Sequence, residues 1–449
     1  MKLFQKLPDA SALISDSTRD VAIDAIRTWS LAVVVAGHFI MQIMFWQPDG
    51  IPVGSNTLSS APAWPFVTWV LQVMPLFFLA GGAVNRASWE RFTGTYAQWL
   101  WKRLQRLLRP TLFLLAGLGI IFTILTFVGN ERVLEPLCIG MVGPLWFLAI
   151  YVPVISLTGI TSRLHRRHGV KVIVVLALAT VVFDALHFTV NSNLSIPNVL
   201  VAWIIAHQLG YFYADGVNRS LAGAIAVAAL IGNVLLTQVF RLYPTSMVGL
   251  PSDATSNANP PSVAMLMHLL FLCCGFIFLS ERIRAFFSRP RPAKATAQFG
   301  VLAMSLYLWH MPVLVLSFWV LHVLGRDLPT RWLGDGIVVP AGPDYWLYMV
   351  PWTIVYGFCV YLVLRLVWPL EYIRIGWLDA PAGGKWRPPV WLGPVCIAEG
   401  LLAVAGTSFT GFPLAVRTLY GLPISNAAAV TSVVVGLLSA RAAARPKLP

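Results

Sequence analysis

Twelve apolar runs, each long enough or nearly long enough to cross a lipid bilayer, follow one another along the 449-residue chain. Only 11% of the residues are charged, against about 25% in a soluble domain. Because a chain this apolar does not stay dissolved in water, the runs predict an all-α polytopic membrane helix bundle of about twelve helices. They cover approximately 22–46, 65–84, 107–128, 144–160, 171–189, 198–213, 221–240, 262–280, 298–322, 346–368, 390–406 and 424–440.

The basic residues predict how the bundle is oriented. With the N-terminus in the cytosol and the spans alternating, five basic residues fall outside and the other 27 of the 32 fall inside. The outer five are Arg132, Arg241, Arg326, Arg331 and Arg417. We therefore expect both termini in the cytosol. The net charge of +14 is interpreted as a topology signal and a contact for membrane lipid or phosphate, not for nucleic acid.

The first run, from Arg19 to Trp46, contains the ionisable residues Asp24, Arg27 and His38. In a helix, the eleven positions from Arg27 to His38 make three turns and roughly 20° more, so both side chains point the same way, about 16 Å apart along the axis. Asp24 lies one turn before Arg27, within reach of an ion pair. Since a charge in hydrocarbon is costly, this face is expected to line a polar interior cavity.

A lone histidine in a membrane helix is more often a packing residue than a catalyst. The arginine on the same face of the helix shifts the balance toward function, because two costly groups in line indicate an interior pathway. A neutral imidazole can take a proton from an attacking hydroxyl. His38 is therefore the candidate general base.

Arg103 and Arg106 lie one turn apart in the segment WKRLQRLLRP, 101–110. Their planar guanidinium groups suit phosphate oxygens, although an ordinary basic flank of a membrane helix would look the same. Two aromatic segments also contain polar residues: Trp146 and Tyr151 in GPLWFLAIY, and His310 in SLYLWHMP at a depth comparable to that of His38. Neither aromatic segment indicates a function by itself.

Two further observations concern ligand and proton chemistry. Asp184 and His187 are spaced so that they could form a carboxylate–imidazole pair, for which a structural bond is the favoured interpretation. The sequence contains no metal-type cluster of His and Cys, so we expect no metal. It also contains no phosphate-loop motif and no nucleophile elbow.

Four of these segments, in this order, resemble the family-3 membrane acyltransferases. That family shows an arginine, ten residues and a histidine in its first span, as Arg27 and His38 do here. It shows R-x-x-R before its third span, as Arg103 and Arg106 do. A W-F-L stretch (146–148), a late S-x-Y-x-W-H segment (305–310) and the second-span phrase at 74–89 are similar as well. The resemblance covers about residues 19–370.

The family core usually has about ten spans, so the resemblance implies three parts. They are a cytosolic segment at 1–20, a membrane acyltransferase core at 21–375, and a two-helix extension with a cytosolic tail at 376–449. Many members carry a soluble esterase-like domain after the core, and this chain shows none.

The resemblance also implies a reaction, in which an acyl group, usually acetyl from cytosolic acetyl-CoA, moves to a hydroxyl of an envelope sugar, polysaccharide or glycolipid at the outer face. Arg27, Arg103 and Arg106 would then hold the coenzyme phosphates, and His38 would be the base or a transient acyl carrier. The supporting or substrate-binding residues would be Asp24, Trp146, Tyr151 and His310. The usage of Ala, Val, Arg and Pro suggests a bacterium, and hence its plasma membrane.

Two other classes of protein fit the same apolar pattern. A secondary transporter or flippase of the envelope also has about twelve spans and charges within the membrane, although it usually shows an internal repeat that this sequence lacks. A membrane protein that binds a partner and has lost its chemistry is the third alternative, against which the retained arginines and histidine argue.

Overall fold

The computed structural model of the chain describes residues 19–61, 63–128, 131–250, 253–335, 337–373, 375–379, 386–407, 416–419 and 422–445. Within these ranges, eleven helical stretches are long and apolar enough to cross a membrane, which confirms the predicted all-α polytopic bundle. The helices are α1 (Val21–Met41), α2 (Thr68–Leu71), α3 (Met74–Glu90), α4 (Tyr96–Val128), α5 (Glu131–Val142), α6 (Leu145–Ser156), α7 (Thr158–His168), α8 (Val170–Thr189), α9 (Asn198–Ala214), α10 (Arg219–Val234), α11 (Val263–Phe287), α12 (Pro290–Val323), α13 (Asp344–Val367), α14 (Gly376–Asp379), α15 (Leu392–Thr407) and α16 (Asn426–Ala443). The strands are β1 (Gln42–Trp46), β2 (Pro52–Asn56), β3 (Thr330–Gly334), β4 (Ile337–Pro340), β5 (Val416–Leu419) and β6 (Leu422–Ser425).

The twelfth predicted span, 390–406, corresponds to α15, which is apolar but shorter than the other spans. Its 16 residues extend about 24 Å, less than the roughly 30 Å of a hydrocarbon core. It packs against α16 and α6. A Cβ atom on Gly393, Gly400 or Gly436 would come within 2.5 to 2.7 Å of a neighbouring atom. The two C-terminal helices therefore pack tightly, as small residues allow membrane helices to do.

The first helix is shorter than the predicted run, because it ends at Met41 rather than at Trp46. The last five residues of the run form β1, which pairs with β2 in an antiparallel ribbon. The Thr57 hydroxyl donates to the Ile40 carbonyl at 2.9 Å and so satisfies one of the free carbonyls at the helix end. The aromatic and β-branched residues of β1 suit a pleated surface as well as they suit a membrane helix. Three such short ribbons were missing from the all-helical prediction.

The two ends of the bundle are named here after α1, as the Asp20 end and the Met41 end. At the Asp20 end, the Asp20 carboxylate accepts from the Tyr213 hydroxyl at 2.8 Å and pairs with Arg284 at 3.0 Å. These contacts join the start of α1 to the last turns of α9 and α11. At the Met41 end, the Thr330 hydroxyl donates to a carbonyl of β1 at 3.1 Å, and the ribbons β1–β2 and β3–β4 lie together.

The helices α3 and α9 pack against each other with almost no side chain between them at two glycines. A Cβ atom on Gly82 would lie 1.9 Å from the His207 carbonyl oxygen, and one on Gly210 would lie 2.1 Å from the Leu79 carbonyl oxygen. Only glycine fits at either position, so the two backbones fix each other's place. The aromatic core of the site is built on this crossing, since Phe78 of α3 stacks on Trp203 of α9 at 4.8 Å.

Candidate active site

His38 and His310, which the sequence placed at similar depth on separate helices, contact each other. His38 Nδ1 lies 2.8 Å from His310 Nε2, although 272 residues separate them along the chain. The ring planes differ by 5° and the ring centroids are 5.1 Å apart. Since the two nitrogens are much closer than the centroids, the rings meet edge to edge through one hydrogen bond. The structure thus brings α1 and α12 together at a two-histidine pair.

The backbone around His310 fixes which nitrogen of each ring carries a proton. His310 Nδ1 lies 2.6 Å from the Tyr307 carbonyl oxygen, which can only accept, so Nδ1 is the donor. In the neutral ring, His310 Nε2 is then an acceptor, and His38 must donate to it from Nδ1. This leaves Nε2 of a neutral His38 with a free lone pair. The pair therefore presents His38 as a base with a defined tautomer.

The two histidines differ in access. His310 is fully buried, while His38 keeps part of its surface exposed. The Tyr356 hydroxyl donates to the His310 carbonyl at 3.2 Å, and the Tyr356 ring stacks on Phe39 at 4.8 Å. The Tyr307 hydroxyl donates to the carbonyl of Pro144, just before α6. His310 is thus held by residues of α1, α13 and its own helix α12, and His38 is the partly exposed member of the pair that a substrate can reach.

The predicted ion pair in the first helix is present at the other end of α1. Arg27 lies 3.3 Å from an Asp24 oxygen, and the second Asp24 oxygen accepts from Arg19 at 2.7 Å. Asp20 caps the helix by accepting from two backbone N–H groups of its first turn. The Arg27 side chain remains 37% exposed, so its guanidinium can still contact a ligand.

Arg103 lies close enough to Arg27 and to Arg106 for their charges to act on it, so the structure brings together residues predicted from two separate segments. Among the described residues, Arg103 and Arg106 form no salt bridge. Arg103 instead lies over the Trp99 ring at 5.8 Å. Guanidinium groups that repel one another and have few counter-ions favour an anion, and phosphate suits their geometry. This group of three side chains is named the arginine group.

Arg109, on the same helix as the arginine group, has a different role. It pairs with Asp379 and donates to the Ile373 carbonyl at 2.9 Å. Gln105 donates to the same Asp379 carboxylate at 2.8 Å. These bonds attach the segment after α13 to α4, so Arg109 is occupied by the protein itself.

Tyr151 is the residue that connects the arginine group to the aromatic core. Its hydroxyl lies next to Asn85 and close enough to Arg103 and Arg27 to be within range of their charges. A Cβ atom on Gly81 would lie 2.6 Å from that hydroxyl, so Gly81 makes the space for it. The sequence analysis did not predict a role for Gly81 or Asn85. The only sequence feature that could have indicated one is the pair of glycines shortly before the asparagine.

The predicted aromatic segment of α6 lies against α12. Phe147 stacks on Tyr151 at 5.4 Å and meets Tyr307 edge-on at 5.5 Å. Trp146 points toward Trp203, with ring centroids 6.3 Å apart. Tyr307 was also missed from the sequence, although it stands in the S-x-Y motif, because its part depends on its carbonyl and on a partner in α6. Aromatic rings thus join the arginine group to the histidine pair.

Within the part of the chain that the structure describes, no group of three or more His, Cys, Asp or Glu residues could hold a metal ion.

The family model of the acyltransferase domain of acyltransferase family 3 matches residues 20–370 of the chain. No curated protein and no solved structure is significantly similar to the chain.

Proposed function

Because the chain belongs to acyltransferase family 3 and is a multi-pass membrane protein, we propose that it moves an acyl group from cytosolic acyl-CoA to a hydroxyl group. The acyl group is acetyl in the simplest case. The acceptor is a sugar, polysaccharide or glycolipid of the cell envelope, presented at the Met41 end. The observation that carries this proposal is the histidine pair, which leaves a free lone pair on His38.

The reaction follows from that lone pair. His38 Nε2 takes the proton of the acceptor hydroxyl as its oxygen attacks the thioester carbonyl carbon. The C–S bond breaks, the coenzyme leaves as a thiolate, and the proton held by His38 passes to it. His310 accepts a hydrogen bond from His38 Nδ1 throughout and keeps the ring in its productive tautomer. In this scheme His310 is a positioning residue.

The donor is held through its phosphates by the arginine group. Arg103 and Arg106 are partly or well exposed and lack salt bridges among the described residues, so both are available. His38 lies about 16 Å further along the axis of α1 than Arg27, a separation that the long pantetheine arm of a coenzyme A thioester can span. Arg109 is the matched residue of the same helix that should not take part, because Asp379 occupies it.

The proposed orientation puts the Asp20 end in the cytosol of a bacterium and the Met41 end outside its plasma membrane. The distribution of basic residues supports it, with 27 of 32 on the proposed inner side. Single cysteines at Ser256 and Ala443, in a background without the five native cysteines, test the orientation. A membrane-impermeant thiol reagent should label Ser256→Cys from outside and Ala443→Cys only after lysis, and labelling of both from one side contradicts it.

The direct test is incubation of the purified protein in lipid nanodiscs with acetyl-CoA labelled in the acetyl group. Free coenzyme A should appear in the presence of envelope glycans, with the label on the glycan, and His38→Gln should abolish both signals. Label retained on the protein without glycan would indicate that His38 is an acyl carrier instead of a base. Thioester that stays intact with every glycan fraction would overturn the proposed donor.

A further inference from the structure

A cavity of about 430 Å³ with many polar side chains lies away from the histidine pair, between the end of α8 and the loop that leads to α11. Its volume falls in the roughly 300–1,000 Å³ range of small-ligand sites. The side chains that line it include Asp184, His187, Phe188, Ser195, Tyr243 and Ser256. No lysine or arginine is among the described residues that line it.

Hydrogen bonds place this cavity at the Met41 end of the bundle. The loop before α11 rests on α2, because the Met247 N–H donates to the Thr68 hydroxyl at 2.8 Å and the Trp69 indole donates to the Thr245 carbonyl at 2.8 Å. The helix α2 in turn lies beside α1, near Gly37. His38 follows Gly37 directly and lies in the last turn of α1, so the cavity and the base lie toward the same end of the bundle.

A buried carboxylate points into the cavity. Asp184 is 4% exposed, and one of its oxygens, Oδ2, accepts from the Tyr243 hydroxyl at 2.6 Å and from the Val263 N–H at 2.9 Å. Among the described residues nothing donates to Oδ1, and that atom is not occluded. The carboxylate is therefore fixed through one oxygen and offers the other to a ligand.

His187 provides a second acceptor. Its Nδ1 lies 3.0 Å from the Ser192 carbonyl and 2.9 Å from the Ser195 hydroxyl, which itself donates to that carbonyl. Nδ1 must then carry the proton, and Nε2 of the neutral ring is free to accept. The sequence had suggested that Asp184 and His187 could bond to each other, and the described structure shows separate partners for each.

The remaining lining favours a neutral ligand with hydroxyl groups. Ser256 accepts from the N–H groups of Ala258 and Asn259, so its own proton is available to donate. Phe188, 54% exposed, meets Tyr243 edge-on at 5.9 Å and gives an apolar face. A carboxylate with no lysine or arginine beside it in the lining repels anions, and an acceptor-rich cavity needs a ligand that donates several hydrogen bonds.

We propose that this cavity binds a neutral sugar, and that in the proposed acyl transfer it holds part of the acceptor glycan near the end where His38 acts. The sugar binding stands on the cavity itself, whereas its use as an acceptor site rests on the proposed function. Asp184 and His187 are the residues that accept the sugar hydroxyls.

The test measures sugar binding without any acyl donor, by saturation-transfer NMR on the protein in lipid nanodiscs. Maltoside detergents are avoided because their headgroups would compete. The probes are neutral mono- to trisaccharides of gluco, galacto and manno configuration, with a polyethylene glycol of equal mass as the non-sugar control. Asp184→Asn should weaken the bound sugar about ten- to a hundredfold, since a hydrogen bond to a charged group is lost.

Two further variants make the result decisive. His187→Leu should also weaken binding. Because it leaves the bond from the Val263 N–H to Asp184 at the start of α11 in place, it serves as the test if Asp184→Asn does not fold. His322→Leu is the matched control, because it removes a histidine paired with a carboxylate, Asp327, elsewhere at the Met41 end. No binding of any probe, or equal binding in all three variants, overturns the sugar site. Either result leaves the thioester assay of His38 untouched, so the two proposals fail separately.

Discussion

Two substitutions at His310 separate an orienting role from a proton-relay role. His310→Gln keeps a carbonyl oxygen that can accept from His38 Nδ1–H, whereas His310→Leu keeps similar bulk and removes the acceptor. If His310 only orients His38, the glutamine variant should work within a few fold of the wild type and the leucine variant should be slow. If His310 receives the proton, both variants should be as inactive as His38→Gln.

The expected size of the leucine effect follows from the single hydrogen bond between the rings at 2.8 Å. In His310→Leu the productive tautomer of His38 keeps a buried donor without a partner, which costs about 1–3 kcal/mol. At 1.4 kcal/mol per tenfold, kcat should fall about five- to a hundredfold. Removing the base itself in His38→Gln should cost about 10²–10⁴-fold. The KM for acyl-CoA should not change, because the rings act on the reacting hydroxyl.

The assay is the initial rate of coenzyme A release with a saturating glycan, at several acyl-CoA concentrations. Since His310 is fully buried, thermal unfolding of each variant must first show that the bundle is intact. His322→Leu, near the exposed end of the same helix, is the control for a histidine lost from α12. Wild-type kcat in a folded His310→Leu protein would refute the tautomer argument and make the pair a packing contact.

Three more predictions concern the rest of the bundle. Arg103→Ala or Arg106→Ala should weaken acyl-CoA binding about ten- to a hundredfold in calorimetry, and unchanged affinity in both would make them topology signals. Gly82→Ala should lower the unfolding temperature strongly, because overpacking costs about 1–3 kcal/mol or more, while Gly357→Ala, whose Cβ meets nothing within 4 Å, should not. Burial alone would raise the pKa of Asp215, but bonds from Arg86 and His165 lower it. The ionised Asp215 therefore stabilises the folded protein above the unfolded pKa of about 3.9, and this stabilisation is lost as the pH falls through the lower pKa of the folded state. Asp215→Asn should therefore unfold at a lower temperature than the wild type at pH 7, and a gap that persists at the lowest pH at which both fold would contradict this.

The parts of the site that lie within one helix could be predicted from the sequence. A helix repeats every 3.6 residues, so the common face of Arg27 and His38 and the pair between Asp24 and Arg27 follow from spacing alone. The class of the fold and the approximate number of spans follow similarly from the length of the apolar runs, with α15 shorter than the other spans. The positions at which the helices begin and end are predicted less well by the apolar runs. The residues of β1 are as apolar as a membrane helix, and only their pairing with β2 decides their structure.

Contacts between helices could not be predicted in this way. The bond between His38 and His310 depends on how α1 and α12 pack, and no periodicity of either segment contains that information. The tautomer depends further on one backbone carbonyl, that of Tyr307, which has no sequence signature of its own. Gly82 shows the same limit, since its need for glycine comes from the backbone of α9.

The proposed reaction needs a donor from one side of the membrane and an acceptor from the other, and aromatic residues connect the two groups of side chains that would serve them. Phe147 contacts Tyr151, which interacts with Arg103, and it also contacts Tyr307, which positions His310. The side of α6 that carries Phe147 and Tyr151, one turn apart, therefore joins the two groups of functional residues. An apolar wall of this kind can bind the thin arm of a thioester but offers no partner to a charged headgroup, which stays with the arginines. The acyl group, and not the coenzyme, would then cross the bundle, so transfer would require no change of access such as a transporter makes.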